Sequence, residues 1–345
     1  MKILSAIILS SILAGIIPLF PQSFSNPEND NAASIKNISG AFTIDDEIYT
    51  GNPFLSSKIR ITRDYPDYKP SWSPDGKWIV FFRIINSKTL PIPKWKTKIC
   101  IVKPDGSGLR ELTSGQYADY NPTWTRDGKN NIIINRYDPD KNRGYIYLSN
   151  IDSKPGDEKL ISNPEYSEFG HCGLKDGRII VATSQGSVLK YVFSSSDNGD
   201  YFPPFIRILS PSPGNTGSYE LVHFDDKVLM LPNRVTLSPD EKHITFELDN
   251  SAGRFGYEGH PLVVADFNVK TPAITNMKRF YNTPADEFAL YPSWTSDSNG
   301  IIFFAGSGKS KFRFYLYNIT TMKIERITEE NSREYKYFCG ESSPK

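Results

Sequence analysis

Lys69-Pro70-Ser71-Trp72-Ser73-Pro74-Asp75-Gly76, followed by the apolar run Trp78 to Phe82, decides how this chain folds. Pro74 presets the first dihedral of a tight turn, Asp75 can hydrogen-bond its own backbone, and Gly76 takes the left-handed conformation that returns the strand in register. The segment is therefore a hairpin with a strand on each side. The same pattern recurs as Asn121-Pro-Thr-Trp-Thr-Arg-Asp-Gly128 and as Tyr291-Pro-Ser-Trp-Thr-Ser-Asp-Ser298, with weaker copies at Gly173 to Val181 and Val235 to Phe246. The turn aspartates are Asp75, Asp127, Asp176, Asp240 and Asp297, separated by 52, 49, 64 and 57 residues. Such spacing is that of a propeller blade with insertions, roughly 40–50 residues per blade.

A second repeat marks an outer strand ending in a hydroxyl or close to one: Lys58 to Thr62, Leu109 to Thr113, Glu158 to Ser162, Ile206 to Ser210, Met277 to Tyr281 and Ile324 to Thr328. Its polar and apolar alternation suits a half-exposed strand. Six outer strands and five hairpins are reconciled if the N-terminal strand closes a sixth blade with the C-terminal strand Glu334 to Cys339. A composite blade of this kind leaves a ring with no open sheet edge. The expectation is an all-β, six-bladed β-propeller over residues 41–345, in which Trp72, Trp124 and Trp294 pack against the neighbouring sheet. Glu241 and Ser298 stand where Gly76 does, so their turns are expected to be strained or differently shaped.

The hairpin, together with a strand such as Lys98 to Gly106 and the following Arg-Glu-Leu-Thr, resembles the WD-repeat-like blades of the TolB family over about residues 58–328. The resemblance implies the fold and an extracytoplasmic setting, and the α/β domain that precedes the blades in that family is not expected in the short segment between the apolar start and the first strand. One propeller architecture hosts many unrelated tasks, so it implies much less about function.

Lys2 and the apolar stretch Ile3 to Phe20, ahead of small residues at Ser23 and Ser25, read as a signal peptide over residues 1–25. An uncleaved anchor is the alternative, and Pro18 and Pro21 weaken it. Residues 26–40 read as a flexible linker, and the body is expected in the periplasm or outside the cell. Lys and Arg total 40 against 39 Asp and Glu, so no global field favours nucleic acid or an anionic membrane. Cys100, Cys172 and Cys339 are too few and scattered for a disulfide framework and read as small buried apolar residues.

Loops that join consecutive blades, and loops between the second and third strand of a blade, emerge on one face of a propeller. There an acid followed by an aromatic recurs as Asp67-Tyr68, Asp119-Tyr120, Glu168-Phe169 and Glu287-Phe288. These residues are expected to ring the channel mouth, with Asp119, Glu168 and His171 as a candidate divalent-cation site; the competing reading is that each acid caps its own turn while the aromatic packs between blades. Trp95, in the loop from Ile85 to Thr97, and Arg254, Tyr257 and His260, in the loop from Asp249 to His260, complete a candidate surface for a protein, peptide or glycan of the cell envelope. No cofactor is called for beyond that cation, and a monomer is expected.

Enzymatic readings find less support. Prolyl oligopeptidase relatives have similar blades, but no Gly-x-Ser-x-Gly elbow occurs here. Oligogalacturonate lyase holds a metal with histidines, whereas His171, His223, His243 and His260 show no ligand spacing. Asp138 to Gly144 alternates oxygen-bearing residues as a calcium loop does, yet a hairpin turn accounts for it better. The sequence is thus read as an exported, non-catalytic propeller that binds a partner through its loop face and channel mouth, with a metal-dependent carbohydrate-active or peptide-active enzyme as the alternative.

Overall fold

The computed structural model describes residues 39–52, 58–86, 94–185, 205–212, 215–224, 231–249, 261–281, 287–307, 312–328 and 335–340. The signal-peptide segment lies outside them, as do most of the linker, Arg254, Tyr257 and His260. Among the described residues there is no α-helix, and the strands form six antiparallel-built sheets, five of four strands and one of five. The innermost strands are Asp67–Trp72, Ala118–Trp124, Tyr166–Gly173, Leu231–Leu237, Glu287–Trp294 and Tyr335–Gly340. Each touches the next in that order, and Tyr335–Gly340 touches Asp67–Trp72, so the six sheets close into a ring. The chain is a six-bladed β-propeller.

The closing blade is composite. Tyr335–Gly340 pairs with Gly40–Ile44, which continues into Glu47–Gly51 and Ile59–Arg60, so the N-terminal side supplies three strands and the C-terminal side the innermost one. Both chain ends are thereby fastened through one ladder, and neither edge of the ring is left open.

Two outer-strand assignments need correction. Ile206 to Ser210 lies in the third strand of its blade, Phe205–Ser212, and the outer strand is Asn215–Leu221. Ile206, Ile208 and Leu209 are fully buried, so the strand is covered on both faces and its polar positions mislead. In the next blade Met277 to Tyr281 does belong to the fourth strand, Ala273–Tyr281, but His223–Phe224 adds outside it in parallel. The 64-residue spacing there includes the long connection between Ile179–Gln185 and Phe205–Ser212 and the added strand His223–Phe224.

The turn chemistry is as the repeat predicts. Ser73 Oγ donates to Asp75 Oδ1 at 2.6 Å and accepts from Trp78 N at 2.9 Å, while Asp75 also accepts from Lys77 N. Thr125 with Asp127, Ser238 with Asp240 and Thr295 with Asp297 repeat the first of these bonds. Gly76 has φ 70°, and Glu241 and Ser298 are held at 61° and 63°, a region that disfavours side chains with a Cβ. Asp138 accepts the amides of Asp140 and Lys141, so that loop is indeed a hairpin turn.

Blades join through aromatic and hydroxyl contacts. Trp72, Trp124 and Trp294 are buried, and the indole N–H groups of Trp124 and Trp294 donate to Ser71 and Thr236 of the preceding inner strands. The hydroxyls that end the outer-strand motif accept from third-strand amides, Thr62 from Ile48, Thr113 from Ile99, Ser162 from Ile146 and Thr328 from Phe314. Each pins the chain where it leaves one blade for the next. Cys100 and Cys172 are buried free thiols, and burial pushes Cys100 up to about 12. They pack as small apolar groups.

Candidate functional site

Five of the six inner strands are bulged two or three residues before their tryptophan, or at the equivalent place. Register shifts fall between Tyr68 and Ser71, Tyr120 and Thr123, Glu168 and Gly170, Asn233 and Thr236, and Leu290 and Ser293. In four of the five the extra residue takes a positive φ: Lys69 55°, Asn121 51°, Arg234 48° and Tyr291 53°. A bulge breaks strict alternation and re-aims a side chain, here toward the propeller axis. In the third of these blades Gly170 occupies the place, where an added Cβ would lie 3.0 Å from the Arg234 backbone nitrogen. His171 follows it.

These residues line an axial cavity of about 120 Å³, walled also by Pro70, Pro122, Val235 and Pro292. Lys69 Nζ donates to Asn121 Oδ1 at 2.8 Å and sits 4.7 Å from the Tyr291 ring centroid. Arg234 stacks on the same ring at 4.2 Å and is ion-paired with Glu247, whose other oxygen accepts the Tyr291 amide at 2.6 Å. Burial pushes the Glu247 carboxyl up, and Arg234 resists the shift. Burial, reinforced by the Arg234 charge, pulls the Lys69 ammonium down to about 7. Burial also holds His171 down at about 3, with Lys69 adding to the effect. Both His171 ring nitrogens are buried; the ring lies against the Asn121 and Ile133 backbone, and neither nitrogen makes a well-formed hydrogen bond among the described residues.

The acids expected at the channel mouth do something else. Asp67 and Asp119 are fully buried, and each receives a two-pronged bond from an arginine on the adjacent strand of its own blade. Arg83 Nε and Nη2 donate to Asp67 at 2.7 and 2.8 Å, and Arg136 donates to Asp119 at 2.6 and 2.9 Å. Thr62 and Thr113, at the ends of the preceding blades, hydrogen-bond the same carboxylates. The acids are joints between consecutive blades.

In the third of these blades Thr183 stands where the arginine would be, and Glu168 Oε1 instead accepts from the Tyr219 hydroxyl at 2.5 Å. Burial pushes Glu168 up to about 7. Among the described residues no group of three or more His, Cys, Asp or Glu side chains is placed to hold a metal, so the cation site of Asp119, Glu168 and His171 is not assembled. The first two point within their blades and only His171 lines the cavity.

Tyr68 and Tyr120 are packed in the apolar layer rather than displayed, and Trp95 is half-buried against Phe82, with ring centroids 6.3 Å apart. The side chains of Phe169, Glu287 and Phe288 lie outside the description, although Glu287 opens its inner strand. Ala289, buried, holds the position of Asp67 in that blade. Among the described residues the exposed aromatics are Tyr65 and Tyr117, two residues before the acids and about half exposed. Their rings cover Arg83 at 4.7 Å and Arg136 at 4.3 Å, and Tyr166 covers Arg207 at 4.4 Å in the same way. A Tyr-x-acid spacing, visible in the sequence, would have found them.

Glu168 carries a pH prediction. Its folded-state value exceeds the ordinary 4.5, so its stabilising contribution is complete below 4.5 and is lost as pH rises through about 7. Glu168→Gln should match the parent at pH 4 and exceed its unfolding free energy by about 2–3 kcal/mol at pH 8. Urea unfolding at the two pH values measures the difference, and equal gains at both would contradict the assignment.

No family model matches the sequence. A dipeptidyl-peptidase 5 from Porphyromonas endodontalis is 27% identical over 114 residues, which is 33% of this chain and 16% of that protein. The chain therefore spans a small part of that relative's length. TolB from Acinetobacter baumannii superposes with a TM-score of 0.59 at 16% identity, covering 89% of this chain and 67% of that one. A TolB-like protein from Agrobacterium tumefaciens superposes at 0.53 and 14% identity, covering 89% and 92%. At these identities the similarity establishes the fold, a TolB-like propeller.

Proposed function

We propose that this chain is a non-catalytic ligand-binding propeller of the periplasm, which receives a partner on the face carrying Tyr65 and Tyr117 and a polar group of that partner in the axial cavity. The observation that supports this most directly is the composition of the cavity. Bulges on five separate strands bring an ammonium, a guanidinium, a carboxamide, an imidazole and a phenol ring to one small space. These groups recognise charge and shape. The periplasmic setting is favoured by the apolar start of the sequence and by the TolB-like fold.

Tyr65 and Tyr117 present large rigid aromatic surface, a residue type enriched at protein interfaces, over the buried guanidinium groups of Arg83 and Arg136. A Tyr65→Ala/Tyr117→Ala double variant should lose at least tenfold in affinity for an envelope component that the parent retains. Met322→Ala, at an exposed turn between the third and fourth strands of its blade, should lose nothing. Calorimetry with the isolated component supplies the affinities. Multiple-turnover release of product from envelope peptides or glycans would replace this reading with an enzymatic one.

A further inference from the structure

The axial cavity is more specific than a generic polar hole. Its two cations, Lys69 and Arg234, face one buried anion, Glu247, leaving a single positive charge when the lysine is protonated. The His171 imidazole adds an N–H that lies against the Asn121 and Ile133 backbone without making a well-formed hydrogen bond among the described residues. Pro70, Pro122, Pro292 and the Tyr291 ring supply apolar wall around these donors. A buried donor without a well-formed acceptor is unfavourable, and a ligand oxygen would satisfy it. A planar anion with an organic stem fits donors at one end and apolar wall beside them.

We propose that the axial cavity binds one monoanionic carboxylate, with Lys69 donating to its oxygens and supplying the neutralising charge, His171 donating beside it and Tyr291 packing against its stem. The charge count favours a monoanion, because a phosphate dianion would leave a net negative charge in the cavity. The proposal rests on the ligand-binding reading above and names the chemical group that enters the cavity. Two sources share that chemistry, a free small acid and the C-terminal carboxylate of a peptide chain.

Binding is coupled to a proton. The described titratable and charged groups acting on the Lys69 ammonium are His171, Arg234, Glu247 and Tyr291. Of these, His171 stays neutral across the physiological range, and Arg234 and Glu247 offset each other. The empty site loses the lysine proton near pH 7, and a bound carboxylate draws it back. Affinity should therefore fall roughly tenfold per pH unit above 7 and level off below it.

The test is calorimetric titration of the full chain with N-acetylglycylglycine, its C-terminal amide, acetate and inorganic phosphate at pH 6.5 and 8.5. The acid should bind, the amide should not, phosphate should be weaker than the acid, and Lys69→Met should lower affinity for the acid at least tenfold. His171→Asn provides a second variant should Lys69→Met fold poorly, and it should weaken binding severalfold. Acetate matching N-acetylglycylglycine identifies a free small acid as the ligand, whereas a tenfold preference for the peptide identifies a chain terminus. Equal binding of acid and amide, tighter binding of phosphate, or unchanged affinity in both variants overturns the proposal. If the carboxylate fails while the tyrosine-dependent affinity for the envelope component persists, only the cavity assignment falls.

Discussion

Arg136→Met should lower the unfolding free energy by about 3–5 kcal/mol, far more than the loss of an exposed ion pair. Arg136 is buried, donates two bonds to Asp119 and lies between the rings of Tyr117 and Tyr147 at 4.3 and 4.5 Å. The Asp119 side chain is 1% exposed, so removing the guanidinium leaves a carboxylate with almost no access to water. Burial already pushes that carboxyl upward, and the arginine is the principal opposing influence. The large effect thus arises from the stranded charge rather than from the worth of the pair. Asp119→Asn/Arg136→Met should accordingly recover part of the loss, because a neutral amide can still meet the Thr113 hydroxyl, whereas Glu158, 3.4 Å from the guanidinium, stays without its partner. Urea titration of the parent, the single variant and the double variant provides the cycle. A single-variant loss below 1 kcal/mol, or no recovery in the double, would show that the joint between these blades does not depend on this pair.

The propeller was legible because its blades repeat turn chemistry that local sequence controls. Asp75, Gly76 and their counterparts act within six residues of themselves, so spacing alone reveals them. The roles of the acids depended instead on a neighbour across the sheet. Asp67 and Asp119 read as a ring of channel carboxylates only while Arg83 and Arg136, sixteen and seventeen residues on, were taken as ordinary strand residues. The cavity residues stood inside the quoted motif throughout. Lys69, Asn121 and Tyr291 differ while the Pro-Ser/Thr-Trp that follows them stays nearly constant, which is how a position facing the axis differs from positions facing another blade. Strict alternation hides them, because the bulge adds one residue and changes which side chains point inward. Glu247 was harder to find, since it lies on the strand adjacent to Arg234 in the same blade and meets Tyr291 only across the assembled ring.

Lys69→Met should raise stability at pH 6 while abolishing recognition of the carboxylate, and this opposition separates a binding role from a structural one. The ammonium's folded-state value of about 7 lies below the ordinary 10.5, so the neutral form is the one that the folded chain prefers. Its contribution to stability is complete above 10.5 and is lost as pH falls through 7, where the buried group must carry its charge. Relative to the parent, the variant should gain nothing at pH 10.5 and about 2–4 kcal/mol at pH 6, after allowance for the lost Asn121 bond and the contact with Tyr291. A residue kept for packing would show the reverse, a loss on substitution at every pH. Saturating carboxylate should then narrow the gap, since ligand at a hundredfold excess over its dissociation constant stabilises only the parent, by about 2.7 kcal/mol. Thermal melts of both proteins at pH 6 and 10, with and without N-acetylglycylglycine, measure all four corners. A variant that melts lower at pH 6, or that gains as much from the ligand as the parent does, would place Lys69 among the structural residues and remove the cation on which the carboxylate depends.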